Sequence, residues 1–230
     1  YHTSDGGQTW VRSVIDASAL ETPPVFVDDL HGWALLTSNF PGVDPGSAYI
    51  GKEITLYRTS DGGKNWQSIA SGPATSQLSV TSSDAYGVPP LTASTRMTFI
   101  NTSIGWLTGT SYHKDNSEYS WLYVTHDGGM TWKQATIVLP ANSLILNPPT
   151  FFTERDALLP VFTSGPAPQY AHTSMLFTTH DGGQTWAGTA IPFDITFGGF
   201  ADIRHGWAPI DGENQAIYMT TDGWQHWMKK

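Results

Sequence analysis

One eight-residue phrase returns five times in this chain, and a fold must accommodate every copy. The copies are Thr3-Ser-Asp-Gly-Gly-Gln-Thr-Trp10, Thr59-Ser-Asp-Gly-Gly-Lys-Asn-Trp66, Thr125-His-Asp-Gly-Gly-Met-Thr-Trp132, Thr179-His-Asp-Gly-Gly-Gln-Thr-Trp186 and Thr220-Thr-Asp-Gly-Trp-Gln-His-Trp227. Their aspartates stand 56, 66, 54 and 41 residues apart. Periods of that length belong to propellers, solenoids and arrays, in which each unit covers an apolar face of its neighbour.

The residues around each copy read as a β-hairpin. Ile54–Arg58, Trp121–Val124, Met175–Thr178 and Ala216–Met219 precede the later copies with the aromatic and branched residues of a strand. Asp-Gly-Gly then marks a tight turn, because glycine reaches positive φ without a steric penalty and an aspartate accepts hydrogen bonds from nearby N–H groups. The chain returns as a second strand, as in Thr131–Ala135, carrying a tryptophan as an apolar anchor.

The pattern Ser/Thr-x-Asp-x-Gly-x-Thr-Trp resembles the Asp-box, or BNR repeat, of sialidase-type and related β-propellers. Four copies fit it well. In the fifth, Trp224 replaces the second glycine and His226 the threonine, so a distorted turn is expected there. The resemblance implies a structural corner, on the face away from the usual ligand site. It therefore gives structural roles to Asp5, Asp61, Asp127, Asp181 and Asp222, and to Trp10, Trp66, Trp132, Trp186 and Trp227.

A second phrase lies upstream of the later boxes: Val25–Ala34, Thr98–Leu107 and Phe200–Ala208 share a strand, a polar turn and Gly-Trp, while Thr150–Leu159 lacks the Gly-Trp. With the box hairpin this predicts an all-β chain of four-stranded antiparallel blades, the unit of a β-propeller. The phrase also resembles propellers related to the photosystem II assembly and stability factor, where Gly-Trp-Ala opens the second strand. The expected blades cover about 25–70, 96–136, 149–190 and 198–228, with a half blade at 1–14. An open edge at 1–14 invites association, so the reading expects a part of a longer propeller, an edge covered by another chain, or closure through the half blade.

Composition narrows the function. Charged residues make up 13% of the chain, the net charge is −9, and the eleven lysines and arginines form no cluster. Nucleic-acid binding is therefore not expected, nor is attachment to anionic membranes, and no segment is long and apolar enough for a spanning helix. With no cysteine there is no disulfide, thiol catalysis or Cys-ligated zinc. A cysteine-free, lysine-poor β domain fits a secreted or cell-envelope bacterial protein, and the opening on Tyr1 fits a processed or excised chain.

The connections between hairpins and between blades, at 15–24, 37–53, 70–95, 110–120, 137–148, 164–174, 190–197 and 211–216, are the long ones, and binding residues concentrate on such loops. The candidate ligand-binding residues there are Asp44, Tyr49, Glu53, Tyr112, His113, Asp115, Glu118, Tyr119, Tyr170 and His172. Asp115–Glu118 lacks the spacing of a calcium loop. His31 and His205, and likewise His126 and His180, hold equal places in successive repeats, which spreads them around a ring, and no metal or cofactor is expected.

Three functional readings remain. A sialidase-like site needs three arginines, an acid/base aspartate and a tyrosine–glutamate pair. The chain has five arginines, of which Arg58 falls in a strand and Arg204 in a short turn on the opposite face, and it lacks the Phe/Tyr-Arg-Ile-Pro phrase. Other Asp-box hydrolases use a carboxylate pair, for which Asp44, Glu53, Asp115 and Glu118 are the candidates. The second reading is an assembly factor akin to the photosystem protein. The preferred third is a non-catalytic extracellular or envelope module that binds protein or glycan on its long-loop face, or associates with copies of itself through the edge at 1–14.

Overall fold

A computed structural model of the chain describes residues 1, 3, 5–13, 15, 19–20, 22–39, 52–73, 91–92, 94–112, 118–140, 143–163, 173–191, 199–209 and 217–230. Every regular element among them is a strand. The first sheet contains β1 (Ala19–Leu20), β2 (Val25–Phe26), β3 (Gly32–Asn39), β4 (Lys52–Thr59) and β5 (Gln67–Pro73). The second contains β6 (Arg96–Phe99), β7 (Gly105–Tyr112), β8 (Glu118–Thr125) and β9 (Lys133–Gln134). The third contains β10 (Ser143–Leu144), β11 (Thr150–Phe151), β12 (Ala157–Thr163), β13 (Thr173–Thr179) and β14 (Ala187–Ile191). The fourth contains β15 (Gly199–Phe200), β16 (Gly206–Pro209), β17 (Ile217–Thr220) and β18 (Met228–Lys229). All pairings are antiparallel, and all but β1–β3 and β10–β12 join strands consecutive in the chain.

Five strands in the first and third sheets fill four positions. β1 and β2 both pair with β3, through Leu20↔Leu36 and Val25↔Trp33, and β10 and β11 both pair with β12. Pro23-Pro24 and Pro148-Pro149 interrupt these first strands, because proline brings no N–H to a ladder. Several expected loops are shorter than the sequence suggests. Ladders run on to Asn39↔Lys52 and Tyr112↔Glu118, so residues 37–39, 52–53, 110–112 and 118–120 belong to strands.

The sheets pack face to face in chain order, which makes the architecture a β-propeller. Trp33, Leu35, Ile54 and Leu56 of the first sheet share a core with Met97, Phe99, Leu107 and Tyr123 of the second. The alternate residues Trp106 and Leu122 turn to the other side and meet Leu159, Val161 and Phe177 of the third. Leu158 and Leu176 in turn meet Ala208 and Trp224 of the fourth. With period two, adjacent residues serve opposite faces, and both faces are covered.

Each contact centres on one indole. Trp33 stacks on Phe99 with centroids 3.7 Å apart, and Phe99 meets Trp132 edge-on at 6.1 Å. Trp106 lies 6.0 Å from both Phe151 and Trp186. Between the third and fourth sheets Leu158 stands at the Gly-Trp position, and the indole comes instead from Trp224, 5.2 Å from Phe200 and 5.8 Å from Trp227. The fifth box therefore departs from the repeat where its neighbour does.

The boxes share one internal bonding scheme. In the second, Thr59 Oγ1 donates to Asp61 Oδ1 (2.9 Å) and accepts from Gly63 N (3.0 Å). Asp61 accepts from Asn65 N (2.9 Å) and Asn65 Nδ2 (2.7 Å), and Trp66 Nε1 donates to Gly63 O (3.1 Å). The expected distortion of the fifth box is small. Trp224 adopts φ 76°, just below the 82° to 93° of its glycine counterparts Gly7, Gly63, Gly129 and Gly183, and His226 Nδ1 lies 2.7 Å from Asp222 Oδ2. The strain shows in a longer bond, 3.3 Å from Trp224 N to Thr220 Oγ1. Each of the last four boxes is also tied to the first turn of its own sheet, through Gly62 N to Leu30 O, Gly128 N to Ser103 O, Gly182 N to Arg155 O and Gly223 N to Arg204 O. Both short turns therefore lie on one face.

These bonds set an acid limit. The Thr9 hydroxyl holds the Asp5 carboxyl at about 2, and the Thr185 hydroxyl does the same for Asp181. The Asn65 N–H leads for Asp61 and the His226 ring for Asp222, each again at about 2. At Asp127 burial pulls upward but is outweighed by the Thr131 hydroxyl and N–H, and the carboxyl is lowered. A carboxylate lowered by folding contributes its full stability above the unfolded value, 3.8 here, and loses it as pH falls through the folded value. Urea midpoints are expected to hold from about pH 7 to 5 and to fall between about pH 4 and 2. A midpoint unchanged down to about pH 2 would contradict the role given to these bonds.

Candidate functional site

A cleft of about 660 Å³ opens between the first strands of the second and third sheets. Met97, Thr98 and Phe99 of β6 form one wall. The other is the run from Asn147 through Glu154, containing the proline pair and β11. The proline pair lies between β10 and β11, directly before β11, so the wall here is irregular backbone beside aromatic side chains. Met97, Phe99 and Pro149 are buried and give the cleft an apolar floor, while Asn147, Thr150, Thr153 and Glu154 are exposed at its rim.

Glu154 is the one charged residue among the described lining residues. Its Oε1 accepts a hydrogen bond from Asn101 Nδ2 (3.0 Å), which bridges the two walls. Asn101 is fixed in turn, because its Oδ1 accepts from Ser103 N (2.9 Å) and Ile104 N (2.8 Å). Beyond Glu154, Asp156 accepts from the Thr153 hydroxyl (2.8 Å) and sits 2.7 Å from His180 Nδ1. The His180 ring, then the Thr153 hydroxyl, hold the Asp156 carboxyl below the usual carboxylate range. The rim is thus braced before any ligand arrives.

The residues singled out from the sequence that fall among the described residues lie elsewhere. Glu53 is half-buried on β4 opposite Ser38, Glu118 is exposed at the start of β8, and Tyr119 packs against the core between the first two sheets. Tyr112 ends β7. Asp44, Tyr49, His113, Asp115, Tyr170 and His172 lie outside the described residues. None of the described candidates lines the cleft. The usable signal was Asn147-Pro148-Pro149 just before the one repeat that lacks Gly-Trp.

Three other histidines keep to local partners. His31 pairs with Asp28 and His205 with Asp202, each three residues back, and His226 pairs with its box aspartate. Among the described residues no three His, Asp or Glu side chains converge on a common point. Arg58 lies over the Trp33 ring, 5.6 Å from its centroid, between two sheets.

The profile of the BNR/Asp-box repeat matches residues 123–134, the hairpin of the third box. That hairpin is a BNR/Asp-box repeat. No curated protein matches the chain. Among solved structures the chain is similar to YCF48 bound to D1 peptide, at 16% identity and a TM-score of 0.49, over 90% of this chain and 52% of that one. It is similar to the family GH93 α-L-arabinofuranosidase of Fusarium graminearum, at 14% identity and a TM-score of 0.46, over 86% and 59%. It is also similar to Zg3597, a family 117 glycoside hydrolase of the marine bacterium Zobellia galactanivorans, at 10% identity and a TM-score of 0.44, over 90% and 66%. The chain thus spans about half the length of the first of these and under two thirds of the second. No helix among the described residues is long and apolar enough to cross a membrane.

Proposed function

We propose that this chain is a non-catalytic binding and assembly module of a bacterial surface or secreted protein, taking a protein or glycan segment in the cleft between β6 and β11. The observation that carries this reading is the cleft itself: aromatic and proline walls, a hydroxyl and amide rim, and one carboxylate already held by Asn101. Such a lining suits a neutral, extended ligand with an apolar face and hydroxyl or amide edges. Glycoside hydrolysis takes two carboxyls flanking one bond, and the described lining offers Glu154 alone. The absence of cysteine and the scarcity of lysine support the location outside the cytoplasm.

The test is a glycan and peptide screen on the full chain, followed by titration of any ligand found against Thr98→Arg and Thr150→Arg. Either substitution fills the cleft from an edge strand and is expected to weaken binding at least about tenfold, a loss of about 1.4 kcal/mol. Binding that both variants leave intact removes the cleft from the reading. Turnover of a glycan that Glu154→Gln abolishes replaces the reading with a hydrolase.

A further inference from the structure

The cleft between the second and third sheets is lined by unbroken runs of residues, Met97 through Ile100 on one wall and Asn147 through Glu154 on the other. Successive side chains of a strand point to opposite faces, so a cleft lying on one face would touch every second residue. Contact with a continuous run means that the cleft follows the backbone edges of β6 and β11. Both are edge strands among the described residues, since β6 pairs only with β7 and β11 only with β12. The first strands of the first two sheets, β2 and β6, come close together, whereas β6 and β11 are held apart by the cleft.

The ladders show which backbone groups face outward. In an antiparallel pair, residues that exchange hydrogen bonds alternate with residues whose N–H and C=O point away from the partner strand. Ile100 N donates to Ile104 O, its opposite number in the register that pairs Phe99 with Gly105. Ile100 and Thr98 therefore bond inward to β7, and Met97 and Phe99 turn their N–H and C=O outward. Phe152 N donates to Asp156 O in the register that pairs Phe151 with Ala157. By the same count Phe151 and Pro149 turn outward from β12. The outward edge of β6 carries a donor and an acceptor on each of two residues, and that of β11 has a donor only at Phe151, because proline has no N–H. These outward groups have no strand beside them among the described residues.

Such an edge is complementary to another extended polypeptide, whose own N–H and C=O groups recur on every second residue. A glycan offers hydroxyls without that repeat. We propose that the cleft binds an extended, basic peptide segment of a partner protein as a strand added to the open edge of β6. The inference rests on the cleft reading above and names its ligand. β6 is the receiving edge because both of its outward residues keep an N–H. Alternate side chains of the added strand lie along the apolar floor, where β-branched residues fit. Glu154 is the one charged residue among the described lining residues, and the chain carries a net charge of −9, so the segment is basic rather than acidic.

The probe is a short synthetic peptide of alternating valine and threonine with lysines at both ends, titrated calorimetrically onto the full chain. Two further versions carry N-methyl groups on every second residue, in one phase or the other. In an added strand one set of N–H groups faces β6 and the other faces away. One phase is therefore expected to bind at least about tenfold more weakly, from the loss of the bonds to Met97 O and Phe99 O, while the other binds like the parent peptide. Amide exchange followed by NMR locates the strand: Met97 and Phe99 N–H exchange faster than those of Thr98 and Ile100 in the free chain, and slow when the peptide is added. A version with glutamates in place of the lysines is expected to bind at least about threefold more weakly at low salt.

Equal effects of the two N-methyl phases overturn the proposal. So does a peptide that binds without slowing exchange at Met97 and Phe99, or the absence of any binding at millimolar peptide. Equal affinity of the lysine and glutamate versions overturns the basic character of the partner. A glycan whose binding Thr98→Arg abolishes, in a chain that ignores the peptide, sinks this inference and leaves the cleft reading standing. A peptide that binds Thr98→Arg and Thr150→Arg as well as the parent chain sinks both.

Discussion

Replacing Trp33 by alanine is expected to cost about 3–5 kcal/mol of stability, the range for deleting a fully buried large aromatic side chain. Three losses coincide at this site. The indole leaves the face of Phe99, where the rings lie 3.7 Å apart and 5° from parallel. Gly128 O loses its Nε1 donor, and a buried carbonyl left without a partner costs about 1–3 kcal/mol in its own right. Arg58 loses the ring beneath its guanidinium. Trp33→Phe separates these effects, since it restores much of the apolar area and leaves the carbonyl unpaired. It is expected to recover about half of the loss. The check is urea denaturation with the midpoint and slope fitted separately. The control is Trp207→Ala. The same residue type at the same repeat position, 45% exposed, is expected to cost under about 1 kcal/mol. Equal losses at both sites would mean that the sheet-to-sheet contact is not what holds Trp33.

This contrast shows which features were legible in the sequence. The corner is written locally: Thr59, Asp61, Gly63, Asn65 and Trp66 bond almost wholly to one another, so five copies of the phrase announce five copies of the turn. The strand pairs on either side follow, because a hairpin joins neighbours in the chain. The cleft is not local. Met97 and Thr150 stand 53 residues apart, and only the packing of the second sheet on the third brings them together. Sequence reasoning looked for function in long polar loops and so selected Glu53, Glu118 and Tyr119, which the ladders draw into strands. The proline pair that shapes the cleft resembles any other break between strands until the sheet beside it is known.

The fifth box carried a second non-local message. Trp224 looked like decay of the repeat, and Leu158 like decay of another copy 66 residues earlier. In the structure both belong to one buried cluster, where Trp224 brings the indole that position 158 does not, and its Nε1 donates to Ile203 O at 3.0 Å. If the two departures compensate, the substitutions must couple. Trp224→Gly alone is expected to open a cavity costing about 3–5 kcal/mol, offset by about 1–2 kcal/mol because glycine relieves a left-handed backbone. Leu158→Trp alone forces a second indole into a filled space and costs about 1–3 kcal/mol. The double variant rebuilds the arrangement around Trp106, with a glycine corner facing an indole from the preceding sheet. It is expected to be nearly as stable as the parent, with a coupling of about 3 kcal/mol, the upper end of what contacting residues show. Denaturation of the four proteins under one set of conditions measures it. Additive losses in the double variant would mean that the two sites decayed independently, and that one indole per contact is not a rule of this fold.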